Sequence, residues 1–335
     1  MTVRKLAFFE CDKKRKEFYS RNLPGFELLF YAETLGQQHI PAIKDCEIIS
    51  VINYSPVTEK IIEQLTGTRL IALGCTGFVN VDVRACARQG ILVANTPGYS
   101  DDAVAEHTVA LMLMLLRHAH TAFLQARDNN FSWQGLRGRT LRGKTLGIIG
   151  TGKIGLKVIE LANAFGMRVL AYSRRQRTDE AERLGFAYAD LATVLAESDI
   201  LSLHLAASPE TFHLFNQDKI SHCKPGAVLI NTSRGEICDT RALLWGLEEG
   251  ILRGVALDVL EEEKLCQDSR LLTPELTGAQ LETYALNQRL LRHKNVLITP
   301  HIGWFTEEAI TSMLAVHLET LQAFINGTPI HLITP

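Results

Sequence analysis

Six residues, Gly150-Thr151-Gly152-Lys153-Ile154-Gly155, follow an apolar run at Leu146–Ile149 and open a helical pattern at Ile154–Phe165. A bare G-x-G-x-x-G is common by chance. Placed between a strand and a helix, it constrains the chain to a βαβ unit that binds a dinucleotide. Its glycines allow a tight turn and close approach of backbone to a pyrophosphate, and the helix N-terminus adds amide donors and the positive end of its dipole.

The rest of the chain agrees with a doubly wound α/β architecture in two domains. Strand patterns recur at Leu6–Phe9, Glu27–Tyr31, Glu47–Val51, Leu70–Leu73 and Ile91–Val93, with a helical pattern at Thr58–Leu65. A second series runs Leu146–Ile149, Val169–Tyr172, Ile200–Leu203, Val228–Asn231, Val255–Asp258 and Val296–Thr299, with helical stretches that include Arg241–Glu249. Such alternation predicts parallel sheets. Between the blocks, Ser100 is the expected N-cap of one long helix, Ala103 to about Arg127, with Asp101 and Asp102 at its positive end. A last helix is expected over Thr306–Phe324. The stretch from Lys264 to Lys294 reads as a long loop with some helix.

Bulk properties exclude several classes. Formal net charge is -2, so no global basic field attracts nucleic acid or anionic lipid. The most apolar stretch, Val109–Leu116, is far short of the ~20 residues of a membrane span and is expected to be a buried core helix. The N-terminus fits no signal peptide. Seven scattered cysteines, none in Cys-x-x-Cys, argue against a disulfide framework or a zinc site and for a reducing, cytoplasmic compartment. The histidines His107, His118, His293 and His317 show no metal-ligand spacing and are expected to be structural or solvent-facing.

Cofactor choice is read at the end of the next strand. NAD-binding folds place an acidic residue about 20 positions past the loop, on the ribose 2′-hydroxyl. Here Ser173 stands 18 residues after Gly155, followed by Arg174, Arg175 and Arg177. Serine with arginines welcomes a 2′-phosphate that a carboxylate would repel, so the turn predicts NAD(P)H with NADP(H) preferred. A merely solvated basic turn is the alternative. The tripeptide Thr299-Pro300-His301 follows the apolar run Val296–Ile298. It puts a histidine at a strand's carboxyl end, where open α/β sheets bind ligands and where a proton donor is useful.

Together these pieces resemble the D-isomer-specific 2-hydroxyacid dehydrogenase family. The likeness rests on Gly74–Asp82, Ala103–His107, Gly150–Gly155, Asn231-Thr232-Ser233-Arg234-Gly235, Leu257-Asp258-Val259 followed by Glu263, and Thr299–Gly303, in that order. Pro97-Gly98-Tyr99-Ser100, Asn130-Phe131-Ser132 and the long segment before His301 are most similar to its D-lactate dehydrogenase branch. The resemblance implies a Rossmann cofactor domain over 100–303 and a smaller, flavodoxin-like substrate domain over 1–99 plus 304–335, with hydride transfer in the cleft.

It also implies site roles. Arg234 would bind the substrate carboxylate and polarise the keto oxygen. His301 would give that oxygen a proton, and Glu263 would pair with the imidazole and stabilise the imidazolium. Spacing alone leaves Glu261 and Glu262 open as the acid; the family spacing, five residues past Asp258, selects Glu263. Lys264 stands where the family usually has proline. Thr232 joins the cofactor set, and Asp258 would contact the nicotinamide side. Backbone amides around Thr76 and Gly77 would hold the substrate carboxylate. Tyr99 and Trp304 would line the substrate pocket or serve as core, and His204 would flank the adenine or pack at its strand end. The implied activity is reduction of a small 2-keto acid, pyruvate first, to the D-2-hydroxy acid, by a homodimer. A glyoxylate or hydroxypyruvate reductase is the alternative, and a dinucleotide-binding, corepressor-like protein a remote one. Formate dehydrogenases share the architecture but carry an amide at the position of Glu263.

Overall fold

The structure is a computed structural model and describes residues 4–267, 272–273 and 276–334. It divides into two compact units, Met1–Ser100 with Thr306–Pro335, and Asp101–Phe305.

The first unit holds five parallel strands, β1 (Lys5–Phe8), β2 (Glu27–Phe30), β3 (Ile48–Val51), β4 (Leu70–Leu73) and β5 (Leu92–Ala94). Their order is β2-β1-β3-β4-β5, the flavodoxin-like order. Helices α1 (Lys13–Asn22), α2 (Ile40–Ile43), α3 (Glu59–Ile62) and α4 (Val83–Arg88) connect them. The period of two divides each strand between two cores. Ala7, Ile49, Val51, Ile71 and Leu73 pack on one face; Leu6, Phe8, Ile48, Leu70 and Ala72 pack on the other. Both faces are buried, and so the strands are continuously apolar rather than alternating.

The second unit opens with α5 (Asp101–Leu116) and α6 (Ala119–Arg127), where the sequence predicts one helix. The two are bent by 66°. His118 between them takes a left-handed φ of +49°. The carbonyl of Leu116, which a continuing helix would use, instead accepts from the Arg139 N–H at 2.9 Å. Gly138 brings that returning chain in, at a place where a Cβ would stand 2.6 Å from the Leu116 oxygen. The break is therefore a tertiary event that local periodicity does not record.

Seven parallel strands follow, β6 (Thr145–Ile149), β7 (Arg168–Tyr172), β8 (Ala187–Tyr188), β9 (Ile200–Leu203), β10 (Ala227–Asn231), β11 (Leu252–Leu257) and β12 (Val296–Ile298). Their order, β12-β11-β10-β9-β6-β7-β8, contains the doubly wound pattern that reverses beside β6. The two-residue β8 is too short to register as a pattern. The helices are α7 (Lys153–Ala164), α8 (Thr178–Leu184), α9 (Leu191–Glu197), α10 (Gln217–Ser221), α11 (Thr240–Glu248), α12 (Glu263–Gln267) and α13 (Gly278–Arg292). The expected loop over 264–294 thus carries a fifteen-residue helix, opened by a capping box between Thr277 and Gln280. Residues 268–271 and 274–275 of that segment lie outside the described residues.

Finally α14 (Glu307–Ile325) returns to the first unit. Thr306 caps it by accepting from the Ala309 N–H at 3.1 Å. Leu321 and Phe324 of this helix join the core beneath β1, β3 and β4. Buried His317 accepts or donates at 2.6 Å to the Tyr19 hydroxyl of α1. Among the described residues, no single helix is long and apolar enough to cross a membrane.

Candidate active site

Six strands of the second sheet end in register. Tyr172 pairs with Ile149, Ile149 with Leu203, Leu203 with Asn231, Asn231 with Leu257, and Leu257 with Ile298. The next residue of each strand is Ser173, Gly150, His204, Thr232, Asp258 or Thr299. One line of carboxyl ends therefore delivers most of the expected site residues together, where an open α/β sheet binds its ligand.

The glycine loop is built for a close ligand. Gly150 has φ +103°, and a Cβ on it would meet the His204 carbonyl oxygen at 2.5 Å. A Cβ on Gly155 would stand 2.1 Å from the Gly150 oxygen. Those two glycines let the loop fold flat against the sheet end. Gly152, at the N-cap of α7, faces open space. Lys153 and Ile154 begin the helix, with Lys153 exposed. This cradle, with free space at a twelve-residue helix N-terminus, fits a pyrophosphate.

The Thr151 side chain turns inward, its hydroxyl 2.8 Å from the Tyr188 hydroxyl. Tyr188 also accepts from the Arg177 N–H at 3.0 Å, so one tyrosine ties the glycine loop to the basic turn. In that turn Ser173 is half-buried, and Arg174, Arg175 and Arg177 are exposed. His204 packs at its strand end with Nε2 2.9 Å from the Ser202 hydroxyl. Burial pushes its imidazole down to about 4, so it is a neutral ring at working pH.

Three loops leave β10, β11 and β12. In the first, Asn231 is fully buried; its amide donates to the Arg234 carbonyl at 2.8 Å, while its oxygen accepts from the Ser233 N–H and hydroxyl. Thr232 turns its hydroxyl to Thr108 of α5 at 2.8 Å. Arg234 is half-buried, with Nη1 donating to the Ser233 carbonyl at 2.7 Å.

Asp258, on the second loop, is 3% exposed and serves the protein itself. It accepts from the Thr299 hydroxyl at 2.5 Å and from the Ile302 and Gly303 N–H groups at 3.0 and 2.8 Å. His107 Nε2 lies 3.3 Å from the same carboxylate. Burial alone would raise this carboxyl; the hydrogen bonds from His107, Thr299, Gly303 and Ile302 outweigh it and hold it below its usual range. Asp258 thus anchors the loop that carries His301. His107, read from sequence as structural or solvent-facing, is a partner in that anchor.

His301 takes a left-handed φ of +56°. Its Nδ1 lies 2.8 Å from Glu263 Oε1, and both side chains are about one-third exposed (32% and 28%). An ionised carboxylate only accepts, so Nδ1 carries the proton of this bond and Nε2 is left for a ligand. The three neighbouring glutamates separate cleanly. Glu261 bonds His213 and Thr240, Glu262 reaches Gln280, and Glu263 alone bonds His301. Three residues past His301, the Trp304 ring is half-buried and meets Phe305 edge-on, with centroids 5.1 Å apart.

In the first unit, Thr76 and Gly77 follow the carboxyl end of β4, and the Thr76 hydroxyl donates to the Thr96 carbonyl at 3.0 Å. The Asn95 amide donates to the Thr76 carbonyl at 2.8 Å. Tyr99 is half-buried beyond β5. Nucleophilic cysteine chemistry is disfavoured at several positions, because burial pushes the Cys11, Cys46 and Cys86 thiols up to about 11 and Cys223 to about 12. Among the described residues, no group of three or more His, Cys, Asp or Glu side chains could hold a metal ion.

Sheet order, glycine cradle and a carboxylate–imidazole pair at the strand ends define a dinucleotide-dependent oxidoreductase of the Rossmann class. The NAD-binding domain of the D-isomer-specific 2-hydroxyacid dehydrogenases matches residues 109–303. D-lactate dehydrogenase of Escherichia coli K12 is 35% identical over 96% of this chain and 97% of its own. Glyoxylate reductase of Thermococcus litoralis is 33% identical over 94% and 95%. The solved D-lactate dehydrogenase of Aquifex aeolicus, complexed with NAD and lactic acid, superposes with a TM-score of 0.87 at 33% identity, covering 96% of each chain. The chain belongs to the D-isomer-specific 2-hydroxyacid dehydrogenase family.

Three supporting residues escape sequence reading as site residues. Asn231 and His107 lie inside the family motifs; Asn231 braces its own loop at Ser233 and Arg234, while the partners of His107, Asp258 and Thr299, are distant in sequence. Tyr188 has no sequence signal; only the fold brings it between Thr151 and Arg177.

Proposed function

We propose that the protein reduces a small 2-keto acid, pyruvate first, to the D-2-hydroxy acid with NAD(P)H. The observation that carries this reading is the Glu263–His301 bond at 2.8 Å, which leaves Nε2 available to move a proton. The bound dinucleotide supplies the hydride. Arg234 binds the substrate carboxylate through its planar guanidinium and polarises the keto oxygen. His301, as the imidazolium that Glu263 stabilises, donates its Nε2 proton to that oxygen, and in the reverse direction the neutral ring is the base. Trp304, three residues past His301, shapes the pocket beside it. Asp258 acts by holding the His301 loop, and Thr232 and His204 bound the cofactor side.

NADP(H) is the preferred cofactor, on the strength of Ser173 with the exposed Arg174 and Arg175. That turn also favours a second reading, a glyoxylate or hydroxypyruvate reductase, whose NADP-using relatives carry similar turns. The protein works as a homodimer through α6 and the chain after it, where Phe131 and Trp133 are 81% and 82% exposed. Initial rates with pyruvate, phenylpyruvate, glyoxylate and hydroxypyruvate, each with NADH and NADPH, test the reading. Highest kcat/KM for pyruvate with NADPH supports it; highest kcat/KM for glyoxylate or hydroxypyruvate selects the second. Turnover of none, with tight dinucleotide binding, overturns both.

A further inference from the structure

Glu263 is bonded to His301, yet little about its own side chain explains why it stands there. The cause lies two residues earlier. The Glu261 side chain is 11% exposed and fully engaged. One oxygen accepts from the Thr240 N–H at 2.9 Å and its hydroxyl at 2.6 Å, at the start of α11. The other lies 2.5 Å from His213 Nε2. The Glu261 carbonyl accepts from the amide of fully buried Asn287, on α13, at 2.8 Å. Just before it, Leu260 lies against Gly235, where an added Cβ would meet the Leu260 carbonyl carbon at 2.1 Å.

The segment is therefore gripped from α11, from α13, from the His213 loop and from the Arg234 loop. Beyond the grip, Glu262 takes a strained left-handed φ of +47°, and Glu263 begins α12. A non-glycine residue stays in that conformation only where its surroundings impose it. With Glu261 anchored and Glu262 bent, the direction of the Glu263 side chain is set. The close approach at Gly235 also couples the loop that carries Arg234 to the loop that carries Glu263. A buried carboxylate is a costly anchor where an apolar residue would fill the space, so its three bonds point to a need for geometry.

We infer that Glu261 is a positioning residue: clamped by Thr240 and His213, it sets the pose in which Glu263 meets His301. The inference rests on the role proposed above for the Glu263–His301 pair. The side-chain bonds of Glu261 run to Thr240 and His213 and not to Arg234, so loss of the clamp is expected to misplace Glu263 first. Glu261→Ala is expected to lower kcat by about 10- to 100-fold, with KM for the keto acid and for the dinucleotide within about twofold. Glu261→Gln keeps an oxygen for the Thr240 donors and is expected to recover most of the turnover.

The decisive measurement is a double-mutant cycle with Glu263→Gln. If Glu261 acts through Glu263, Glu261→Ala costs almost nothing further in that background. A kcat for Glu261→Ala within twofold of wild type overturns the inference, as does a loss that multiplies fully with that of Glu263→Gln. If Glu261→Ala fails to fold, the same cycle with Glu261→Gln decides, its small loss vanishing or persisting when Glu263 is changed. A Glu263→Gln enzyme with unchanged kcat refutes instead the reading of the pair itself.

Discussion

His301 occupies the left-handed region at φ +56°, a conformation a histidine keeps only when its neighbours impose it. Its N–H donates to the Asp258 carbonyl, and the next two N–H groups, those of Ile302 and Gly303, donate to the Asp258 carboxylate. The ring is aimed by the backbone and then oriented by Glu263. His301→Ala should lower kcat by roughly 10²- to 10⁴-fold, the usual worth of a general acid, while the dinucleotide Kd from fluorescence titration stays unchanged. Near-normal turnover would remove His301 from the chemistry. Arg234→Ala should mainly lower kcat/KM for the keto acid; an unchanged KM and kcat would show that another group binds the carboxylate. At this scale the sequence was informative about identity. A histidine after a strand, an arginine after a strand and a glutamate at the family spacing all stand in the same sheet-end region. It offered Glu261 only as an alternative acid and not as a buried anchor, because a charged triplet reads alike whether its members face solvent or buried partners.

The elements were legible wherever burial is continuous. All four residues of β3, β4 and β9 are buried, and the apolar runs alone located them to within about a residue. The α5–α6 break was not legible, because Gly138 and Arg139 act from twenty residues away. Nor was the tie from Tyr188 to the basic turn. That turn carries its own test. Ser173→Asp would put a carboxylate where a 2′-phosphate is expected, and kcat/KM with NADPH relative to NADH should fall at least about tenfold. A wild-type preference for NADH of that size would reject the NADP(H) assignment. Another test lies between α1 and α14. Burial pushes His317 down to about 4, against about 6.5 in an unfolded chain. The unfolded state therefore takes up a proton first, so stability falls as pH drops from about 6.5 to about 4 and this contribution levels off below. The loss is on the order of 3 kcal/mol. Chemical denaturation at a series of pH values should show it, and His317→Gln should flatten it. Equal slopes in both proteins would mean that His317 titrates normally.

Across the whole molecule, two units each bury both faces of a parallel sheet, and α14 returns to close the first unit by covering β1, β3 and β4. Among the described residues, Phe123 and Leu124 of α6 and Phe131 and Trp133 after it are exposed large apolar side chains close together in the chain. Trp133→Asp combined with Phe131→Asp should convert the proposed dimer to a monomer by light scattering, with secondary structure retained. A wild-type monomer, or a variant that still dimerises, would reject that surface.

The sequence by itself determined the class of fold, the dinucleotide loop and the residue types of the reaction. These depend on local periodicity, on glycines at fixed spacing and on the chemistry of single side chains. Only the tertiary structure decided that Glu261 is held by Thr240 and His213, that Asp258 serves as an anchor, and where the long helix breaks. Each of those outcomes is set by a hydrogen bond or a close approach between residues far apart in the chain, and such contacts exist only once the strands have lined up.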